Sequence, residues 1–184
     1  MRVISGLKKG FKIKAPKGKD TRPTEDRIKE SLFNILRNID SESIILDLFA
    51  GSGSIGIEFL SRGAKKAYFI DKSYLSIKTI KENLIHTNLE EKAEVIKNDS
   101  IKSIGLLGKK KIKFDYIFID PPYGESLIME ALEKIWNEEI LKEEGIIIVE
   151  HEANLELNDS AYNFIKLDYR NYGSKSLTFY KINS

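Results

Sequence analysis

The stretch Asp47-Leu48-Phe49-Ala50-Gly51-Ser52-Gly53-Ser54-Ile55-Gly56 decides the fold. It continues an apolar run that begins at Ile44 and leads into a segment, 54–62, of helical character ended by Gly63. Gly51, Gly53 and Gly56 fit the pattern G-x-G-x-x-G, and Asp71 stands 20 residues past Gly51, at the end of the next strand-like run. Glycines let a backbone approach a ligand closely, and the helix N-terminus beyond them offers N–H groups to an anion. An acid at that distance accepts hydrogen bonds from ribose hydroxyls. The loop therefore supports an adenosine-containing cofactor without naming it; the competing reading is a tight strand–helix turn with no ligand. Asp47, close beneath the loop, would oppose a pyrophosphate. It suits a cationic ligand such as the methionine amino group of S-adenosylmethionine, unless it only braces the loop.

Working outward, strands and helices alternate. Strands are expected at 44–49, 67–70, 93–96, 116–119 and 146–149, and helices at 54–62, 73–87, 100–107 and 126–137. The strands are continuous apolar runs, which means burial on both faces. Repeated β–α alternation means a doubly wound, mostly parallel sheet. The tail breaks the pattern: 164–169 and 176–181 are strands joined by a polar turn, an antiparallel hairpin that brings the strand count to seven. Upstream, Thr24 can cap a helix whose apolar stripe is Ile28, Leu32, Ile35, Leu36 and Ile39. Residues 2–5 and 11–14 read as a small β-hairpin. The organisation expected is a basic hairpin and linker at 1–23, then one α/β domain at 24–184.

The chain has 184 residues, 30 Lys+Arg, 28 Asp+Glu, two His and no Cys. The missing Cys excludes a disulfide scaffold, a thiol nucleophile and Cys-ligated metal sites, and no metal is expected. No apolar run approaches a membrane span and no leader is evident, so a soluble, cytoplasmic protein is expected. The net charge of +2 hides an asymmetry. Residues 1–38 carry 11 basic and 4 acidic side chains, leaving 19 and 24 for the rest. Arg2, Lys8, Lys9 and Lys12 belong to a stretch, 1–19, without any acid. That is either a polyanion contact or a solvated edge. Lys109, Lys110, Lys111 and Lys113 read as a solvated loop.

The fourth α/β strand delivers Asp120-Pro121-Pro122-Tyr123 at its C-terminal end, the edge where ligands of such sheets bind. Two prolines stiffen the turn and have no N–H, leaving carbonyls to accept. A carboxylate and a neighbouring carbonyl can take both N–H groups of an exocyclic amine, and Tyr123 offers a ring on which a base stacks. Orientation and charge placement are then the main catalytic effects. His86 and His151 are expected at the surface or as caps, Trp136 in the core, and Glu150 at the cleft edge with at most a minor role.

Taken together, these motifs resemble class I S-adenosylmethionine-dependent methyltransferases that modify amines. More closely the chain resembles the RsmD family, which methylates a guanine exocyclic amine (N2) of 16S ribosomal RNA. The family-specific piece is 22–36, from Arg22-Pro23-Thr24 onward; Arg2-Val3-Ile4-Ser5-Gly6, the glycine loop, Asp120 to Tyr123 and the Tyr172-Gly173 tail also fit. The resemblance implies a Rossmann-like methyltransferase fold. It implies that Asp47, Phe49, Gly51, Ser52 and Gly53 line the methionine part of the cofactor. Asp71 would hold its ribose, and Asp99 with Ser100 its adenine. Thr24 and Arg22 would lie near cofactor and target, with Arg22 on the RNA. Asp120, Pro121, Pro122 and Tyr123 would hold the guanine. Arg2, Lys8, Lys9 and Lys12 would contact ribosomal RNA, in the small subunit or its assembly intermediate, with the protein acting as a monomer. The competing functions are an adenine-N6 methyltransferase on RNA or DNA, a small NAD-dependent oxidoreductase, and a non-catalytic RNA-binding assembly factor.

Overall fold

Burial follows the apolar runs. The computed structural model describes residues 1–16, 23–122 and 124–183, with backbone only at 23–25. Two compact units are present, Met1–Asn98 and Asp99–Ser184.

In the first unit, α1 (Pro23–Leu36) is followed by β1 (Ile44–Asp47), α2 (Ser54–Ser61), β2 (Lys66–Asp71), α3 (Tyr74–Thr87) and β3 (Ala93–Lys97). The strands lie in the order β3-β2-β1 and both pairings are parallel, Asp47 opposite Phe69 and Asp71 opposite Lys97. Ile45, Leu46, Phe69 and Ile70 are fully buried, as a strand covered on both faces requires. β3 departs from the expectation: its residues are half-buried or exposed, because it pairs on one side only in this unit. Pro23 opens α1, so Thr24 lies inside the helix rather than at its cap. A proline there suits a first turn whose N–H has no intrahelical partner. Ser73 caps α3 by accepting from Ser76 N at 3.3 Å. The buried line of α3 is Ile77, Ile80 and Leu84, while the apolar Tyr74 and Ile85 are exposed.

The N-terminal hairpin is reduced to one antiparallel bridge, Arg2 with Lys12. Val3 N donates to Phe11 O at 2.9 Å and Ile13 N to Met1 O at 3.0 Å, but no strand is assigned in this segment. The reason lies in helix α2. Ile4 N and Ser5 N donate to the two carboxylate oxygens of Glu58, at 2.8 and 3.0 Å, instead of to a partner strand. Glu58 is fully buried. It also accepts from Arg62 Nε at 2.9 Å and lies 3.7 Å from the buried Lys29 ammonium. Lys29 in turn donates to Arg2 O at 2.6 Å and Ser54 Oγ at 2.8 Å. Burial holds the Lys29 pKa below its usual value, against the pull of Glu58 and Asp26. A second clasp is Asn83. Its Oδ1 accepts from Lys14 N at 3.0 Å, and its amide donates to Lys14 O and Ser52 O, each at 2.9 Å.

In the second unit, α4 (Ser100–Lys109), β4 (Phe114–Ile119) and α5 (Gly124–Asn137) precede β5 (Leu141–Glu152), β6 (Ser160–Ala161), β7 (Phe164–Asn171) and β8 (Lys175–Ile182). The strand order is β4-β5-β8-β7-β6, with β4 and β5 parallel and the rest antiparallel. The α/β class and the C-terminal hairpin are as the sequence reading has them. The described strands number eight rather than seven, because β6 adds a pairing of two residues, too short for an apolar pattern to mark. Lys109 ends α4, and Lys110 and Lys111 form the turn after it. Trp136 is 36% exposed, edge-on to Phe164, rather than in the core. His151 is buried, not at the surface. Its Nδ1 lies 2.9 Å from Glu152 O, which can only accept, so Nδ1 carries the proton and Nε2 accepts from Thr178 Oγ1 at 2.8 Å. Burial lowers the His151 pKa, consistent with this neutral tautomer.

Removing one partner of a buried ion pair strands the other charge, at a cost of about 3–5 kcal/mol. Glu58→Ala should lower the unfolding free energy by that amount in urea titration. Glu42→Ala, which removes an exposed partner of Lys65, should leave it essentially unchanged.

Candidate functional site

The first unit builds a glycine loop that is held from all sides. Gly51 N donates to Asp71 Oδ2 at 2.9 Å, and Ser73 N to Asp71 Oδ1 at 2.8 Å. One carboxylate thus ties the loop after β1 to the turn after β2. Ala50 N donates to Ile70 O at 2.9 Å and Gly53 N to Ala50 O at 2.7 Å, closing the turn. Asp47 is almost completely buried and its Oδ2 accepts from Gly56 N at 3.2 Å. That is a negative charge beneath the loop, bound to the first turn of α2. Ser52 Oγ accepts from Ser54 N at 3.3 Å. Phe49 is half-buried beside these groups in the chain.

Two of the glycines are required for different reasons. Gly53 sits at φ +77, the left-handed conformation that starts α2 from the loop. A Cβ on Gly56 would stand 2.3 Å from Phe69 Cε1, so α2 could not lie this close to β2 with any side chain there.

The second unit carries the other expected site residues. Asp99 is exposed and caps α4, its Oδ1 accepting from Lys102 N at 3.0 Å; Ser100 is buried in the first turn. Asp120 directly follows β4, 40% exposed at its side chain. Pro121 is half-buried and Pro122 exposed. Arg22 and Tyr123 lie outside the described residues, as does the side chain of Thr24. Arg2, Lys9 and Lys12 are exposed and Lys8 half-buried, on the segment clasped by Glu58 and Asn83.

So the structure brings Asp47, Gly51, Gly53, Gly56 and Asp71 into one hydrogen-bonded loop. It also reveals residues the sequence reading passed over. Glu58, Lys29 and Asn83 hold the loop's surroundings; the signal for Glu58 was a lone acid in the otherwise apolar segment Ser54–Ser61. Lys175 is another: its ammonium lies 3.8 Å from Asp120 Oδ1, 3.9 Å from Glu150 Oε1 and 3.4 Å from Glu152 Oε1. No local pattern marks it, because only the register of β5 with β8 puts it there. Among the described residues no group of His, Asp or Glu is arranged to hold a metal ion, and no helix is long and apolar enough to cross a membrane.

The family model described as Conserved hypothetical protein 95 matches residues 1–181. The chain belongs to this family. The Bacillus subtilis protein YlbH is 40% identical over 98% of this chain and 98% of its own length. Ribosomal RNA small subunit methyltransferase D of Haemophilus influenzae is 37% identical over 84% of this chain and 80% of its own. The resemblance drawn from the Arg-Pro-Thr, glycine-loop and Asp-Pro-Pro-Tyr segments is therefore a true kinship. The solved structure of Escherichia coli yhhF matches with a TM-score of 0.87 at 27% identity, over 100% of this chain and 98% of that one. The fold of the family member described here is thus shared along its whole length.

Asp71 braces the loop whether or not a ligand is bound. Asp71→Ala leaves two N–H groups without their acceptor, a loss of about 1–3 kcal/mol. Urea unfolding of the ligand-free protein should show that loss; a residue that served only a ligand would show none.

Proposed function

We propose that this protein transfers a methyl group from S-adenosylmethionine to the exocyclic N2 amine of a guanine in 16S ribosomal RNA. The observation that carries the reading is the Asp120-Pro121-Pro122 turn at the end of β4, in a chain that also holds a braced glycine loop after β1. Kinship supports it: the Haemophilus influenzae relative is named a ribosomal RNA small subunit methyltransferase.

The residues fit the cofactor. The buried Asp47 carboxylate favours a cation near the loop and disfavours a pyrophosphate, which argues against a nicotinamide dinucleotide. Asp47, Phe49, Gly51, Ser52 and Gly53 would hold the methionine part. Asp71 has both oxygens committed to backbone N–H groups, yet each carboxylate oxygen has a second lone pair for a ribose hydroxyl. Asp99, with Ser100, would take the adenine, and Thr24 would lie beside it. Bound S-adenosylmethionine supplies an electrophilic methyl group on a positively charged sulfur.

The chain's own part is to hold the amine. The Asp120 carboxylate and the Pro121 carbonyl accept its two N–H groups, so the nitrogen lone pair leaves conjugation with the ring. Pro122 keeps the turn rigid and Tyr123 stacks on the base. The base must be exposed or flipped out to reach them. Residues 1–23 form the RNA-binding arm, with Arg2, Lys8, Lys9, Lys12 and Arg22 as its cations, and 24–184 the methyltransferase domain. The protein acts as a cytoplasmic monomer on the small subunit or its assembly intermediate.

Labelled methyl donor and small-subunit particles test the assignment. Asp120→Ala should lower methyl incorporation at least about 100-fold while S-adenosylmethionine binding persists. Mapping should place the lost methyl group on a 16S guanine. Retained incorporation removes Asp120 from the reaction.

Replacing Lys8, Lys9 and Lys12 together by Ala should weaken RNA binding and reduce the slope of log affinity against log salt by about 2 to 3. Because these side chains are not part of the backbone clasp, cofactor affinity and urea midpoint should hold. An unchanged salt slope takes the arm off the RNA.

A further inference from the structure

Three neighbouring strands of the second unit deliver charge to one place. Asp120 follows Ile119, which lies opposite Val149 in the β4–β5 pairing. Glu150 lies opposite Leu177 and Glu152 opposite Lys175 in the β5–β8 pairing. Glu150 and Glu152, two residues apart on a strand, share a face. Lys175 opens β8 on that face, and its own carbonyl accepts from Tyr172 N at 2.8 Å, which fixes the turn behind it.

The ammonium is shared by three carboxylates, at 3.4 Å from Glu152, 3.8 Å from Asp120 and 3.9 Å from Glu150. It lies within ion-pair distance of Asp120 as well as of both glutamates. His151, between the two glutamates, contributes no charge: its ring turns to Thr178 and is neutral. The Glu150 side chain is only 15% exposed and that of Lys175 31%, so water screens the cluster incompletely. Burial works against the Lys175 charge, yet the three carboxylates together raise its pKa above the usual value. Removing the ammonium takes a cation away from Asp120 and leaves the two acids in place, and like charges favour protonation of one of them. A protonated Asp120 accepts one hydrogen bond fewer.

We propose that Lys175 is a positioning residue: it keeps the Asp120 carboxylate ionised and aimed against the repulsion of Glu150 and Glu152. This rests on the reading of Asp120 as the group that holds the target amine. Lys175 touches no reacting atom in this account; it acts through the carboxylate.

The test is the pH profile of kcat with small-subunit particles and S-adenosylmethionine at saturation. Lys175→Gln should move the acid limb about one unit toward neutrality, a loss of about tenfold in kcat on that limb. The KM for S-adenosylmethionine and the salt slope of RNA binding should stay as they are. Lys175→Arg should return the limb most of the way. Adding Glu150→Gln to Lys175→Gln should also return it in part, by removing one repelling charge. An unmoved limb in Lys175→Gln, with Asp120→Ala inactive, overturns the role of Lys175 and leaves that of Asp120 standing. An active Asp120→Ala overturns the reading beneath both. An unmoved limb with weaker, less salt-dependent RNA binding makes Lys175 a phosphate contact instead. Should Lys175→Gln fail to fold, Glu150→Gln alone is measured: its limb should move to lower pH, and a stationary limb overturns the proposal.

Discussion

A fully buried carboxylate organises the first unit. Glu58 sits in a helix whose other side chains are apolar or small, and a charge there is expensive unless every lone pair is used. Two backbone N–H groups, the Arg62 guanidinium and the Lys29 ammonium use them. The consequence reaches three elements at once. The N-terminal segment is drawn onto α2, α1 is tied to α2 through Lys29, and Lys29 is fixed to Ser54 at the exit of the glycine loop. An apolar residue at this position would pack, but it would leave Ile4 N and Ser5 N without their acceptors. This explains how residues 1–16 pack against α2 without a strand of their own.

The glycine loop is a second instance of the same economy. Its turns are closed by the groups proposed to meet the cofactor: Asp71 accepts from Gly51 and Ser73, and Asp47 from Gly56. A loop already shaped by its own hydrogen bonds loses little freedom when something binds, so binding free energy is not consumed in ordering it. Asn83 extends this outward, joining the loop carbonyl of Ser52 to the N-terminal segment at Lys14. The proposed cofactor site and the proposed RNA arm thus share one polar scaffold.

Periodicity and turn chemistry made most of the fold legible. Ile44–Asp47, Ser54–Ser61 and Lys66–Asp71 were visible as an apolar run, a glycine turn and another run because local and tertiary preferences agree there. β6 was not, since two residues carry no period. The N-terminal hairpin was read as two β-like pieces around the turn Gly6-Leu7-Lys8-Lys9-Gly10, and Val3 and Ile13 in them are indeed buried. A distant carboxylate then took the N–H groups that would have made the ladder. The exposure of Tyr74, Ile85 and Trp136 shows the same limit: an apolar residue near a stripe is not yet on it. Among the expected site residues, Asp47, Asp71 and Asp120 were legible from motif spacing. Glu58 and Lys175 were not, because Lys29 for the one and Asp120, Glu150 and Glu152 for the other lie 23 or more residues away.

The N-terminal segment is fastened by main-chain hydrogen bonds together with the buried Val3 and Ile13 side chains. Ile4, Ser5, Leu7, Lys8 and Lys14 each give a backbone N–H to Glu58, Ser61 or Asn83. Gly6 at φ +82 brings the chain so near Ser61 that a Cβ would collide with its carbonyl. Attachment therefore constrains the identity of the glycine and forbids proline at the donors, while leaving the side chains at 8, 9 and 12 unconstrained by folding. Over evolutionary time such a segment can exchange its outward residues with the body of the enzyme untouched. The arm is a fixed bracket with interchangeable fittings.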